Sequence, residues 1–209
     1  MTEPFTDLPP GVPAVPAPDR GAGLPGGPDF GRFVDNLRHL LDVVTDACPP
    51  AEVMTQVADE FAQISARLAP FAVAESERAT GLRLDLAGRG QTMAPVVLWD
   101  VRARDRATCR VTFGRHYVTV NGAVHGGAIP LVFDEVLAVL ANASGAFARS
   151  VYLNVNYRAL TRVGVPLRVE ATVDRVEGRK LFLTGRLFDG DTLCAEAESL
   201  FVQLRTGQH

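Results

Sequence analysis

The apolar run 128–141 constrains the fold of this chain more than any other segment. It follows a glycine pair, Gly126-Gly127, and carries Pro130 close to its beginning. Because proline is tolerated in the first turn of a helix but not in its interior, a helix is predicted to begin just after the glycines. This helix is apolar almost all round, so it must be covered on most sides. We expect a sheet to cover one side and a second subunit to cover the rest.

Two acidic residues interrupt the apolar helix. Asp134 and Glu135 are the only formally charged residues between His116 and Ala148. An ionised carboxylate in apolar surroundings is costly unless it is compensated, so Asp134 is a candidate nucleophile or general base. The structural alternative is a carboxylate bonded to nearby backbone or to Arg149. Glu135 is interpreted as a rim or structural charge.

The glycine pair is predicted to present backbone amides at the N-terminus of this helix. Gly126, Gly127 and Ala128 lie where N–H groups have no partner inside a helix. Together with the positive end of the helix dipole, they suit a developing oxyanion, and the alternative is a plain turn into a helix. His125 is either a satisfied turn histidine or a residue that orients the turn and touches substrate.

The spacing between the turn and the acid predicts a shared site. Asp134 comes seven residues after Gly127, which is about 10 Å along a helix axis. That distance is too long for both residues to touch one reacting carbon. If both act in one reaction, they must come from different subunits, and two-fold symmetry then gives two equivalent sites.

The first part of the chain is predicted to be an appendage to the main domain. Residues 1–28 contain 8 Pro and 5 Gly, a composition typical of a flexible tail. Residues 29–75 are predicted to be a helical extension, with one apolar stripe over 30–46 and a second between Pro50 and Pro70. We expect these two helices to form an antiparallel pair or an arm packed on the main domain, 76–209.

Strand patterns dominate the chain from about residue 95 onward. Apolar and polar residues alternate in several short runs. Glu177-Gly178 and Asp189-Gly190 are turn dipeptides that indicate antiparallel hairpins. The fold class is therefore α+β, with a long central helix wrapped by a curved antiparallel sheet. The predicted strands are 96–101, 108–113, 150–158, 166–176, 180–188 and 193–205.

Composition removes several classes of function. The net charge of −3 does not favour a nucleic-acid partner. Three cysteines far apart in the sequence predict neither a disulfide framework nor a metal site, and they fit a reducing, cytoplasmic location. The N-terminus lacks the pattern of a signal peptide, and the longest apolar run is too short for a membrane span.

Several segments together resemble the hotdog-fold acyl-CoA thioesterases, in particular the phenylacetate-type (PaaI-like) branch that includes the mammalian thioesterase superfamily members. The resemblance covers about residues 95–205. It is carried by Val124-His125-Gly126-Gly127, by Asp134 nine residues after the histidine, and by 152–158, 174–180 and 198–202. The resemblance implies a long helix wrapped by a five- or six-stranded antiparallel sheet, in a homodimer or a dimer of dimers.

The resemblance also implies a reaction and a set of roles. The reaction is hydrolysis of a fatty or aromatic acyl-CoA thioester at the subunit interface, without a cofactor. Asp134 matches the acid that acts as base or nucleophile, Gly127 or Gly126 the amide that polarises the carbonyl, and Ser150 a hydroxyl that positions water. Four cations are plausible contacts for the phosphates of coenzyme A, since arginine and lysine bind phosphate well. They are Arg158, Arg162, Arg179 and Lys180.

Two other functions stay open at this point. Several relatives carry Asn or Gln six residues before the histidine, where this chain has Thr119, and Asn121 is out of register. This departure favours a non-catalytic acyl-CoA or lipid-binding hotdog protein. A hotdog hydratase would need an Asp/His pair on the helix, and no histidine follows Asp134 before His209.

Overall fold

The computed structural model describes residues 23–143 and 145–205. Most of the predicted tail, through residue 22, lies outside these residues. Two compact units divide the described chain, one over 23–92 and one beginning at Met93.

The first unit contains two helices, α1 (Phe30–Asp46) and α2 (Ala51–Leu68). Both predicted helices are confirmed, and the prolines at 49, 50 and 70 stand at their ends. The expectation of an antiparallel pair is wrong, because within 23–92 the two helices are not packed along each other. Consistent with this, α2 has no buried residue in the described chain, and its apolar stripe is exposed.

A buried arginine holds the loops of the first unit together. Arg83 is 3% exposed, and its side chain forms a bidentate ion pair with Asp85, with two N–O distances of 2.8 Å. Its remaining nitrogen donates to the carbonyls of Pro25 and Gly27. The single charge of this guanidinium is therefore paired and each of its three nitrogens donates a hydrogen bond, which is the condition for burying an arginine at low cost.

The second unit is a six-stranded antiparallel sheet with a helix across it, as the alternation predicted. The strands lie in the order β1-β2-β4-β5-β6-β3, so only β3 is out of sequence order. Each predicted strand is found within two residues of its expected ends. The strands are β1 (Val97–Arg102), β2 (Arg106–Thr112), β3 (Ala148–Tyr157), β4 (Pro166–Glu177), β5 (Lys180–Asp189) and β6 (Thr192–Gln203).

Glycines at two tight turns set the register of β4, β5 and β6. Gly178 and Gly190 have φ values of +59° and +58°, a region that residues with a side chain rarely adopt. They join strands whose last pairs are Glu177 with Lys180 and Asp189 with Thr192. The two predicted hairpins are therefore confirmed, and glycine is needed at each for conformational reasons.

Helix α3 (Ala128–Ala141) crosses the sheet and supplies much of the core. Its buried side chains meet the inward side chains of β2, β4, β5 and β6. Phe133 lies over Gly185 of β5, so close that a Cβ atom there would be 2.8 Å from its ring. The buried residues of α3 are Ala128, Ile129, Val132, Phe133, Val136, Leu137, Leu140 and Ala141.

Strand β3 forms one edge of the sheet. Among the described strands it pairs with β6 alone, and the pairing is interrupted by a bulge between Ser150 and Tyr152. Its start is fixed by Asn142, which donates to the Ala138 carbonyl and accepts from the Ala148 amide. Within the described residues, the other backbone edge of β3 has no strand paired to it.

Within the described residues of the second unit, the sheet leaves one side of α3 uncovered. Leu131, Ala138 and Val139 are only partly buried there, and Asp134 is exposed. The predicted helix wrapped by a sheet is thus confirmed, and one face remains for another covering element. None of the helices in the described residues combines the length and the apolar character that crossing a membrane requires.

Candidate active site

The segment that leads into α3 is held on both of its sides by backbone hydrogen bonds. The His125 amide donates to the Tyr117 carbonyl at 2.7 Å, and the Val124 amide donates to the Thr161 carbonyl at 2.8 Å. A further bridge joins Ala123 to Arg162. The segment just before the glycine turn is therefore fixed, and the position of the turn relative to the sheet is well defined.

Two of the three amides predicted to be open at the turn are occupied. The Gly127 N–H donates to Nδ1 of His125 at 3.0 Å, and the Ala128 N–H donates to the His125 carbonyl at 2.8 Å. The expectation of three open amides is wrong for these two residues, since the side chain and carbonyl of His125 turn back to accept from them. Among the described residues, the Gly126 N–H is the one of the three without an acceptor.

Neither glycine of the turn is needed for a left-handed backbone. Gly127 has φ −70° and ψ −18°, and Gly126 is not among the glycines with positive φ. A Cβ atom on Gly127 would lie 3.2 Å from Nδ1 of His125, which is tighter than ordinary contact. Gly127 therefore provides the room in which the His125 ring folds back over the turn.

The hydrogen bond from Gly127 fixes the protonation pattern of His125. Because Nδ1 accepts a hydrogen bond from the Gly127 N–H, it carries no proton itself, and the neutral ring holds its proton on Nε2. His125 is exposed, so Nε2–H is available to a ligand. Both uses suggested for this histidine, orienting the turn and touching substrate, are compatible with this geometry.

A tyrosine that sequence reasoning gave no role also contacts the turn. The Tyr157 hydroxyl donates to the Gly126 carbonyl at 2.7 Å. Tyr157 is the last residue of β3 and follows Gly126 by 31 positions, so only the fold brings the two together.

Asp134 stands on the uncovered side of α3 with no compensating partner. In the part of the chain that the structure describes, it has neither a hydrogen bond nor an ion pair, so Arg149 does not neutralise it. Partial burial raises the pKa of Asp134, and the neighbouring Glu135 charge raises it further. An unpaired carboxylate of raised pKa is a stronger base than an ordinary aspartate.

Gly126 and Asp134 of one chain are too far apart to share a substrate atom. The rise along the helix from its N-cap, Gly127, to Asp134 is about 10 Å, and Gly126 lies before the N-cap. Ser150, the residue expected to position water, lies near the start of edge strand β3 and is exposed, opposite Phe201 in the pairing. The residues predicted for the site are thus spread along the uncovered side of the protomer.

The four cations predicted to hold coenzyme A fall into two pairs at opposite ends of β3. Arg158 follows the last residue of β3 and forms an ion pair with Glu196, and Arg162 forms a bidentate pair with Asp189. Arg179 donates to the Gln203 carbonyl at the other end of the strand, beside Lys180. Ten residues of extended strand span about 30 Å, so the four do not gather at one place in the protomer.

The departure at Thr119 has a structural context. The Thr119 amide donates to the Ala123 carbonyl across a tight turn, and Asn121 at the tip has φ +58°. Asparagine tolerates this left-handed conformation better than most residues. Asn121 is therefore explained by the turn, at whose tip it is exposed.

A family comparison identifies the region that holds this turn. Residues 121–196 match the model of the thioesterase superfamily. This part of the chain is therefore similar to that family. The match includes the glycine turn, Asp134, Ser150, Tyr157 and all four cations.

Curated relatives share the domain over part of their length. The chain is 32% identical over 101 residues to acyl-coenzyme A thioesterase THEM4 of Bos taurus, covering 47% of this chain and 41% of that protein. It is 36% identical over 93 residues to THEM4 of Mus musculus, covering 44% and 40%. The chain therefore spans about two fifths of the length of the curated relatives it matches.

Solved structures resemble this chain over the matched region, and one of them resembles it over most of its length. One crystal structure of a thioesterase superfamily protein is 27% identical, with a TM-score of 0.70, and the match covers 83% of this chain and 90% of that one. The PaaI protein of the Escherichia coli phenylacetic acid degradation operon is 14% identical, with a TM-score of 0.50, covering 52% and 80%. The second likeness shows the fold alone, and it confirms the hotdog architecture.

Proposed function

We propose that this chain hydrolyses an acyl-CoA thioester to a free acid and coenzyme A. The observation that carries the proposal is the contrast between the amides at the glycine turn. The Gly126 N–H is open, while the peptide that follows it is held by Tyr157 and His125. An open, fixed N–H at a helix N-terminus suits the oxyanion of a tetrahedral intermediate.

The proposed chemistry divides two tasks between Gly126 and Asp134. The Gly126 N–H donates to the thioester carbonyl oxygen and stabilises its negative charge after attack. Asp134 takes a proton from water, whose oxygen attacks the carbonyl carbon, and returns the proton to the leaving sulfur of coenzyme A. In the alternative route the Asp134 carboxylate attacks the carbonyl carbon and the C–S bond breaks, so that coenzyme A leaves as a thiolate that takes a proton from water. Water then hydrolyses the acyl-aspartyl intermediate to the free acid and regenerates Asp134. Ser150 is proposed to orient the water.

The spacing of these groups supports a homodimer as the working unit. Since Asp134 lies about 10 Å along the helix axis from the N-cap and Gly126 lies before the N-cap, we propose that each site takes its amide from one subunit and its carboxylate from the other. The open edge of β3 and its exposed Val151, 60% accessible, offer a surface through which a second copy extends the sheet. A dimer of dimers would keep the same paired sites.

We place the coenzyme A phosphates near Arg158 and Arg162 rather than near all four cations. These two flank the segments that hold the glycine turn, because Arg158 follows Tyr157 and Arg162 bridges to Ala123. The Arg158 and Arg162 side chains are 53% and 59% exposed, so a phosphate can reach them and compete with their carboxylate partners. In a dimer, Arg179 and Lys180 of the second subunit remain available to the same substrate.

Thiol release from a panel of acyl-CoA substrates tests the proposal. Short, medium, long and aromatic acyl-CoAs are incubated with the protein, and the free coenzyme A thiol is measured over time. We expect turnover with at least one chain class, and a fall in kcat of about 10²–10⁴-fold in the variant Asp134→Asn.

A neighbouring carboxylate provides the matched control for this experiment. Glu135→Gln makes the same change one residue further along α3 and should retain most of the turnover. Full turnover in Asp134→Asn contradicts the assignment of Asp134. Tight binding of acyl-CoA without any thiol release would instead support the non-catalytic binding protein.

A further inference from the structure

We infer that Tyr157 is a positioning residue that fixes the oxyanion-binding turn of this chain. The inference rests on the proposed function, in which the Gly126 N–H polarises the thioester carbonyl. It concerns the peptide group between Gly126 and Gly127, whose two polar ends are both held by side chains from outside the helix.

The Gly126–Gly127 peptide is clamped from two directions. Its carbonyl oxygen accepts from the Tyr157 hydroxyl at 2.7 Å, and its N–H donates to Nδ1 of His125 at 3.0 Å. Both distances are ordinary for well-formed hydrogen bonds. A peptide plane held at both ends cannot rotate without breaking one of them, and two adjacent glycines would otherwise leave it unusually free to rotate.

The clamp determines where the neighbouring amide points. The Gly126 N–H belongs to the preceding peptide, and that peptide's carbonyl, on His125, is held by the Ala128 N–H at 2.8 Å. Rotation at Gly126 is then the remaining freedom of the turn. Tyr157 restrains this rotation from the far side, through the carbonyl of the same residue whose N–H meets the substrate.

The same contact links Tyr157 to the protonation pattern of His125. A donor on the Gly126 carbonyl polarises the peptide and strengthens its N–H as a donor, because hydrogen bonds in a chain reinforce one another. The stronger Gly127 donor favours the His125 form whose Nδ1 is unprotonated. Tyr157, the peptide and His125 thus form one hydrogen-bonded series ending at the exposed imidazole.

The position of Tyr157 allows its hydroxyl to be removed without repacking a core. The residue is 54% exposed at the end of β3, and phenylalanine keeps its ring. Tyr152 provides a matched control on the same strand. In the described chain the Tyr152 hydroxyl has no hydrogen-bond partner, and its side chain is also exposed.

The experiment compares Tyr157→Phe with Tyr152→Phe on the best acyl-CoA of the panel. We expect Tyr157→Phe to lower kcat by roughly 3- to 10-fold, the equivalent of one net hydrogen bond, with little change in KM. Tyr152→Phe should leave both constants unchanged. A loss confined to kcat indicates an interaction that matters in the transition state.

A spectroscopic measurement on the same proteins tests the clamp independently of turnover. In ¹⁵N-labelled protein, Tyr157→Phe should shift and broaden the Gly127 amide signal. It should also increase the fraction of the neutral His125 ring that is in the Nδ1–H tautomer. Unchanged Gly127 and His125 signals, or a kcat equal to that of the parent, would overturn the inference. So would a rise in KM alone, because Tyr157 would then bind substrate.

The outcomes also separate this inference from the proposed function. If the parent protein hydrolyses no acyl-CoA, the proposed function fails, and the amide and imidazole signals still decide whether Tyr157 holds the turn. If Asp134→Asn abolishes turnover while Tyr157→Phe preserves it, only the positioning role is lost.

Discussion

The contact between Phe133 and Gly185 gives a sharp test of how tightly α3 is set on the sheet. In the variant Gly185→Ala, the new methyl would lie 2.8 Å from one ring carbon of Phe133 and 2.9 Å from the next. Real Cβ atoms do not approach other carbons so closely, so the ring or the helix must move. Phe133 is 1% exposed and lies within the buried core, so it cannot move without displacing its neighbours.

Two opposing effects set the magnitude. Replacing a glycine inside a strand gains about 0.5–1 kcal/mol of stability, because the unfolded chain loses freedom. Overpacking a filled core costs about 1–3 kcal/mol. We expect the second effect to win by about 1–2 kcal/mol, which lowers the melting temperature by about 2–8 °C in a domain of this size.

A double-mutant cycle with Phe133→Leu identifies the cause. Leucine removes the ring carbons that the methyl would meet, so Gly185→Ala should cost much less in that background. The measurements are thermal unfolding by circular dichroism and chemical denaturation of all four proteins. An unchanged or raised melting temperature in Gly185→Ala, or an equal cost in both backgrounds, would refute the packing reasoning.

Three further predictions concern the turn, the acid and the thiols. Asp134→Asn should raise the melting temperature at neutral pH, because partial burial, with the Glu135 charge adding to it, raises the pKa of Asp134 and makes its ionised form costly in the folded state. The folded protein loses stability as pH rises through the raised pKa of such an acid, so the increase in melting temperature should shrink as pH falls toward about 4. An increase that is constant with pH would argue against this cause. Gly127→Ala should lower kcat with little change in the melting temperature, since its methyl would press on the His125 ring from 3.2 Å, and parental kinetics would show that the ring position is unimportant. Ellman's reagent should titrate one thiol, that of Cys48, in the native protein and three thiols after denaturation. Cys109 and Cys194 are both buried, and burial, with the Asp100 charge adding to it, raises the pKa of Cys109 to about 12. Fast reaction of a second thiol in the native protein would contradict the buried core.

The sheet and the central helix were predictable because their signals are local. Alternation along each strand sets which residues face the core, and glycine at 178 and 190 meets a conformational requirement that few residues satisfy. Pro130 and the glycine pair similarly mark the start of α3 within one turn. These features do not depend on distant parts of the chain.

The helical extension shows where such signals stop. The apolar stripes of α1 and α2 indicate that each helix has a face suited to burial, and the helix bounds were predicted well. A stripe does not specify what covers it. The pairing of the two helices was therefore an inference about partners, and the described residues 23–92 do not show it.

The details of the glycine turn depend on contacts that a single sequence does not encode locally. Whether the Gly127 N–H is open depends on the side-chain conformation of His125. The contact of Tyr157 with Gly126 depends on the topology that brings the end of β3 to the start of α3. The sequence indicates the glycines and the acid of the candidate site. Which amide stays open depends on contacts that form only in the folded chain.

Subunit complementation tests the central claim, that each site combines Gly126 of one subunit with Asp134 of another. Heterodimers are purified from co-expressed, differently tagged Asp134→Asn and Gly126→Pro chains, since proline removes the N–H itself. Circular dichroism checks that each variant chain folds before the heterodimer is assayed.

The measurement is thiol release by the purified heterodimer compared with both inactive homodimers and the parent. A shared site predicts one intact and one doubly defective site in each heterodimer, and therefore about half of the parental activity. Activity that stays at the level of the two inactive homodimers would contradict the shared site.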